Sequence, residues 1–160
     1  MIELTPQHCA ELERRGRLML GDKLETVIAA CEFVRSQLNA LPLGSCKNHA
    51  QALQWALRQK NIDCRVITGE AFWQVGPEPH NTISFCQSTE DENGFHCWIE
   101  IDAPDGHVSI DPTSYALAQY AKQEGVTMTW RPSPQLIWKS SKQSIEETEI
   151  KQAGAWIYHT

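Results

Sequence analysis

The apolar pattern of this chain changes period near residue 61, and that change limits the folds open to it. Upstream, Leu24, Val27, Ile28, Cys31, Val34 and Leu38 recur at three-four spacing, as do Cys46, Ala50, Leu53 and Leu57. That is the signature of helices burying one face. Thr5-Pro6 supplies an N-cap with proline at the first helical position, and Gly21-Asp22 breaks the run, so a helix is predicted over 6–20. Asp22 caps a second to about residue 40. Leu41-Pro42-Leu43-Gly44 connects it to a third over about 45–60, which Asn61 stops. Downstream, β-favouring runs lie at 64–72, 82–86, 95–102 and 107–111, the last three separated by short turns. This predicts an antiparallel meander. A short helix over 114–123, a strand over 126–130 and a polar helical segment over 144–153 follow. The terminal AWIYHT carries large side chains that dock on the body. Helices first and an antiparallel sheet after them make an α+β domain, one domain over residues 1–160.

Composition narrows the function classes. The net charge of −6 gives no basic surface for nucleic acid. No apolar run is long enough for a membrane span, and the first residues lack a signal core, so a cytosolic setting is expected. In that setting the six cysteines (9, 31, 46, 64, 86 and 97) read as free thiols. Most are then small buried packing residues.

Cys46 differs in position. In GSCKNHAQALQWALR the amphipathic run begins at it, which places it in the first turn of the third helix. Unpaired N–H groups and the helix dipole favour a thiolate there. Packing alone also accounts for a buried cysteine. A nucleophilic thiol needs a base and the base an orienting group. His96 and Asp111 supply both types on neighbouring strands. A hairpin with its midpoint between 103 and 104, inside Ala103-Pro104-Asp105-Gly106, sets residue 96 opposite 111, so the carboxylate can accept the imidazole N–H. Alternation puts His96, Trp98 and Glu100 on one face and Cys97, Ile99 and Ile101 on the other. Cys97 then points away from His96 and is expected to be inert packing.

Beyond this geometry, the sequence resembles the transglutaminase-like superfamily. Gly44, Cys46, Ala50, Leu57-Arg58, Ile62 and Arg65-Val66 to Gly69 are similar to its nucleophile segment. FHCWIEI resembles its histidine strand and SIDPTSY its Asp-Pro-Thr, in the family's order. The motifs span 44–114. The resemblance implies a transglutaminase-like, papain-like core with Cys46 as nucleophile, His96 as general base and acid, and Asp111 as orienting group. It implies acyl transfer through a Cys thioester with no cofactor or metal, acting on a protein or peptide substrate. Water as acceptor gives a cysteine peptidase or amidase, the first reading. An amine gives a protein-glutamine transglutaminase or other acyltransferase. A non-catalytic interaction module on the same fold is the further alternative. The Cys46 N–H is one expected oxyanion donor; residues 40–45 offer no side chain for the second. Gly-Ser-Cys is also similar to papain-type peptidases, whose third member is usually asparagine.

A zinc site is the chemical rival, from Cys46, His49, His96 and Cys97. Zinc needs converging ligands, and His96 and Cys97 face opposite sides of one strand. Trp73, Trp98, Glu100 and the loop over 76–80 are candidates to border the cleft. Glu146, Glu147 and Glu149 read as a solvated face. Oligomeric state leaves no mark in the sequence.

Overall fold

The computed structural model describes residues 2–38, 46–85, 95–123, 125–126, 134–141, 148–150 and 154–159. Thr5 caps helix α1 (Pro6–Leu20), its hydroxyl accepting from the His8 N–H at 3.3 Å. A single 3-10 turn over Gly21–Lys23 leads into α2 (Leu24–Leu38). Helix α3 (Cys46–Gln59) begins at the cysteine. It stops at Asn61, which takes a left-handed φ of 58° while the Ile62 N–H bonds back to the Leu57 carbonyl at 3.0 Å.

Five strands follow as an antiparallel sheet in the order β3-β2-β4-β5-β6: β2 (Arg65–Gln74), β3 (Thr82–Phe85), β4 (His96–Ala103), β5 (Gly106–Asp111) and β6 (Gln135–Ser140). A sixth, β8 (Trp156–His159), pairs antiparallel with residues 70–73 of β2, while β4 pairs with residues 65–69. Between β5 and β6 lie a 3-10 turn (Ser114–Ala116) and helix α4 (Leu117–Gln123). A separate parallel pair joins β1 (Ile2–Leu4) to β7 (Thr148–Ile150). The α+β class is as the sequence predicts, and the tail docks as a strand. The predicted meander holds for β4 and β5 but not for β3, because β2 lies between β3 and β4 and pairs with both. Among the described residues no helix is long and apolar enough to cross a membrane.

Several expectations change. Residues 148–150 form a strand, not part of a helix over 144–153, because they pair with β1. Strands β1 and β6 have no counterpart in the sequence reading. Predicted features at 39–45, 86–94, 127–133 and 142–147 lie outside the described residues, so Gly44, Cys86, Glu146 and Glu147 do too. The β4–β5 register is shifted as well: Ala103 faces Gly106 and Ile99 faces Ile110. Only Pro104 and Asp105 make the turn, with Asp105 at a left-handed φ of 60°. Extending this register sets Asp111 opposite Trp98 and two residues diagonal to His96. A two-residue shift keeps every side chain on its predicted face.

The two faces carry separate cores. Helices α2 and α3 cover one, where Val27, Val34, Leu53 and Leu57 meet Cys97, Ile99, Ile101, Val108, Ile110 and Leu136. Helices α1 and α4 cover the other, where Cys9, Leu117 and Ala121 meet Trp73, Trp98, Ile137 and Tyr158. The sheet is therefore a middle layer, buried on both sides.

Candidate functional site

The site sits at the N-terminal end of β4. His96 is 4% exposed and Asp111 1%. The imidazole Nε2 lies 2.8 Å from Asp111 Oδ2. The diagonal reach along the sheet achieves what the predicted facing pair was to do. Three further donors hold the carboxylate. Tyr158 donates its hydroxyl to Oδ2 at 2.6 Å, and Thr113 donates its N–H at 2.8 Å and its hydroxyl at 2.7 Å to Oδ1. Burial alone would raise the Asp111 pKa. The neighbouring His96 charge and these hydrogen bonds overcome that and hold it below the usual value. Burial, and then the Asp111 charge, push the Tyr158 phenol well up, so it remains a proton donor.

Aromatic side chains fix the imidazole plane. Trp73 meets it edge-on at 5.2 Å and 89°, Trp98 stacks at 6.1 Å and Tyr158 lies 6.0 Å away. The Trp73 indole N–H donates to Gln135 Oε1 at 3.2 Å, and Gln135 also contacts the Tyr158 hydroxyl. Trp73 and Trp98 thus border the histidine, Trp98 from the face that alternation predicts. Glu100, on the same face, is taken up further along the sheet by His107 at 3.1 Å and Arg65 at 3.3 Å. The loop after β2 is tied to itself: Gln74 donates to the carbonyls of Gly76 (2.5 Å) and Glu78 (2.8 Å).

Cys46 is the first residue of α3 and half-buried. Its sulfur lies 4.0 Å from the Phe95 carbonyl oxygen, one peptide bond from His96. The structure thus joins His96 to Asp111 directly and brings Cys46 against the start of β4, on the Cys97 side of the strand. Cys97 points away from His96, as alternation predicts, and packs in the core beneath α2 and α3. Its sulfur also lies 3.5 Å from the Thr68 hydroxyl. The neighbouring Cys46 thiol lowers the Cys97 thiol to about 6 against the opposing effect of burial, with Thr68, His96 and Lys47 adding to the lowering. The neighbouring Cys97 thiol, and then burial, push Cys46 up.

His49, one turn along α3, is buried with its Nε2 2.7 Å from the Tyr115 hydroxyl. Among the described residues no three His, Cys, Asp or Glu side chains converge as a metal site. Tyr158 and Gln135 are the residues sequence reasoning missed. The tail motif WIYH was seen to dock, yet nothing in it marks which buried group its tyrosine reaches. A hollow of about 550 Å³ between α2 and α3, lined by Phe33, Ala56 and Trp55, lies at the far end of α3 from Cys46.

No protein-family model matches the chain, and no curated protein matches it. A solved crystal structure, described only as that of a genomics target, is similar in fold at 18% identity and a TM-score of 0.52. The match covers 84% of this chain, which spans 62% of the length of that one.

Proposed function

We propose that the protein is a thiol-dependent acyl-transfer enzyme of the transglutaminase-like type, acting first as a cysteine peptidase or amidase. The observation that carries this reading is the buried His96–Asp111 hydrogen bond, set beside a cysteine that opens a helix. A carboxylate held by three donors and an imidazole held between aromatic rings form an oriented base with no evident packing need. The order of the sequence motifs supports the same reading, and the likeness to a solved structure supports the fold alone.

In this mechanism the Cys46 thiol, set against the Phe95 carbonyl at the start of β4, turns toward His96 and transfers its proton to it. With Nε2 bound to Asp111, proton exchange goes through Nδ1. Asp111 steadies the imidazolium that forms. The thiolate attacks an amide carbonyl carbon, and the α3 N-terminal N–H groups face the developing oxyanion. The imidazolium then protonates the departing amine, and water drawn in by His96 resolves the thioester. An amine in the place of water makes the same intermediate a transglutaminase step. A peptide or protein amide is the expected substrate, in a cytosolic setting that keeps thiols reduced.

The test is acyl-enzyme trapping. Wild type, Cys46→Ala and His96→Ala are incubated with a peptide pool, quenched in acid and mapped by mass spectrometry. A thioester on Cys46 in wild type, reduced by about 10²-fold or more in His96→Ala, is the expected result. Adducts spread evenly over the cysteines, and unaffected by His96→Ala, would overturn the reading.

A further inference from the structure

We propose that the Tyr158 hydroxyl is a two-position proton donor, turned to Asp111 while His96 is neutral and to Gln135 when His96 is charged, and that Gln135 is thereby a positioning residue for the base. The hydroxyl meets two oxygens. Asp111 Oδ2 lies 2.6 Å away, and Gln135 Oε1 is also in hydrogen-bonding contact with it. A phenol carries one proton, so it serves one of them at a time. Gln135 is 0% exposed, and Asp111 and Tyr158 are 1% exposed each, so bulk water does not replace the bond not made.

The orientation of the Gln135 amide decides whether it competes with Asp111 or assists it. Trp73 fixes that orientation. An indole N–H only donates, and this one lies 3.2 Å from Oε1. Turning the amide over would set its NH2 group against the indole N–H, two donors face to face. Oε1 therefore meets both the indole and the phenol, and it can only accept. The amide nitrogen Nε2 has no hydrogen-bond partner among the described residues. An apolar side chain would fill this place without that cost, so packing alone does not account for a glutamine here.

The choice of acceptor follows the charge on His96. While the imidazole is neutral, the Asp111 carboxylate is the stronger acceptor, because a hydrogen bond to a charged group outweighs one to an amide. Once the imidazolium forms, Asp111 Oδ2, 2.8 Å from Nε2, is paired with a full positive charge and accepts less strongly from the phenol. Gln135 then takes the hydroxyl proton. That proton never leaves its oxygen; the hydroxyl turns about its C–O bond. In turning, it leaves more of the carboxylate charge to the imidazolium. Gln135 thus makes His96 a stronger base. Loss of Gln135 weakens the base, whereas loss of the hydroxyl itself strengthens it. The other titratable groups acting on this network are Glu13 of α1, Cys31 of α2, Lys139 of β6, and Cys46 and Cys97 near the histidine. Neither substitution below alters one of them.

That this base serves a thiol rests on the function proposed above; the coupling itself does not. The full chain is labelled with carbon-13 in its histidine and glutamine side chains, and the His96 ring and Gln135 carboxamide signals are followed by NMR through a pH titration. In wild type the Gln135 carboxamide is expected to move with the same midpoint as the His96 ring. In Gln135→Leu the His96 midpoint is expected to fall and in Tyr158→Phe to rise, each by about 0.5 to 1 pH unit, the scale of one hydrogen bond. A simple loss of packing would not drive the two variants in opposite directions. Shifts of the same sign, or none, would overturn the proposal; a rise in Gln135→Leu would mean that the amide donates to the phenol. A wild-type Gln135 signal indifferent to the His96 titration would overturn it too, and that measurement needs no variant to fold. Opposite shifts in a protein that never forms a Cys46 thioester would leave the coupling standing and remove the catalytic reading. A Cys46 thioester without those shifts would do the reverse.

Discussion

Asp111 shows how a single buried carboxylate is made tolerable. It is almost wholly removed from water and kept ionised by His96, Tyr158 and Thr113. Tyr158→Phe deletes one donor and leaves the ring packing intact. It should cost about 1–3 kcal/mol, read as a lower midpoint in urea unfolding. Asp111 also has a signature in acid. Its folded pKa lies below the unfolded value, so its stabilisation is present above about pH 3.9 and lost as pH falls through the folded value. Wild-type stability should fall across that range, and Asp111→Asn should show a shallower acid limb in a pH series of melts. The histidine and the aspartate were legible as residues because their types are out of place on β-strands and the alternation fixes their face. Cys97 was legible only in direction. Alternation gives its face, but only the packing of α2 and α3 shows what covers it.

At the scale of elements, the helices and strands β2 to β5 were readable from period and capping, while the order that inserts β2 between β3 and β4 was not. Strand β6 was not, because it is buried on both faces: Leu136 packs toward α2 and α3 while Ile137 packs toward α1. Such a strand shows no alternation to detect. Strands β1 and β7 are three residues each, too short for any periodicity. The hairpin turn was read as longer than it is, which displaced the register by a pair of residues without changing any face. Gly16 is where α1 touches β6: a Cβ there would sit 2.5 Å from the Leu136 carbonyl oxygen, a backbone atom that cannot swing aside. Gly16→Ala should therefore push α1 off the sheet and cost on the order of 1–3 kcal/mol despite alanine's better helix propensity. Thermal unfolding beside Ala10→Gly, an exposed control that loses only propensity, measures it.

The whole molecule carries an alkaline signature as well. Lys139 is 8% exposed, donates to the Tyr158 carbonyl and lies 5.7 Å over the Trp98 ring. Burial lowers it to about 8, with Glu100 opposing the shift. Between about pH 8 and the unfolded value near 10.4 the unfolded chain binds the extra proton. Stability should therefore rise with pH across that window, by up to about 3 kcal/mol. Chemical unfolding at pH 7.5 and 9.5 in buffers of matched ionic strength should show the rise in wild type and a flat response in Lys139→Met.

The strand that carries Tyr158 has a consequence in time. Asp111 and Tyr158 are 47 residues apart, and the cysteine and histidine precede both. At a synthesis rate of roughly 5–20 residues per second, the carboxylate leaves the ribosome some 2–9 seconds before its hydroxyl partner. Through that interval β2 lacks β8 and the acid has no phenol to hold it. The nascent chain thus has every candidate reacting group but an unfinished support for them. On the function proposed above, thiol chemistry at Cys46 should switch on only once residue 158 has emerged and paired.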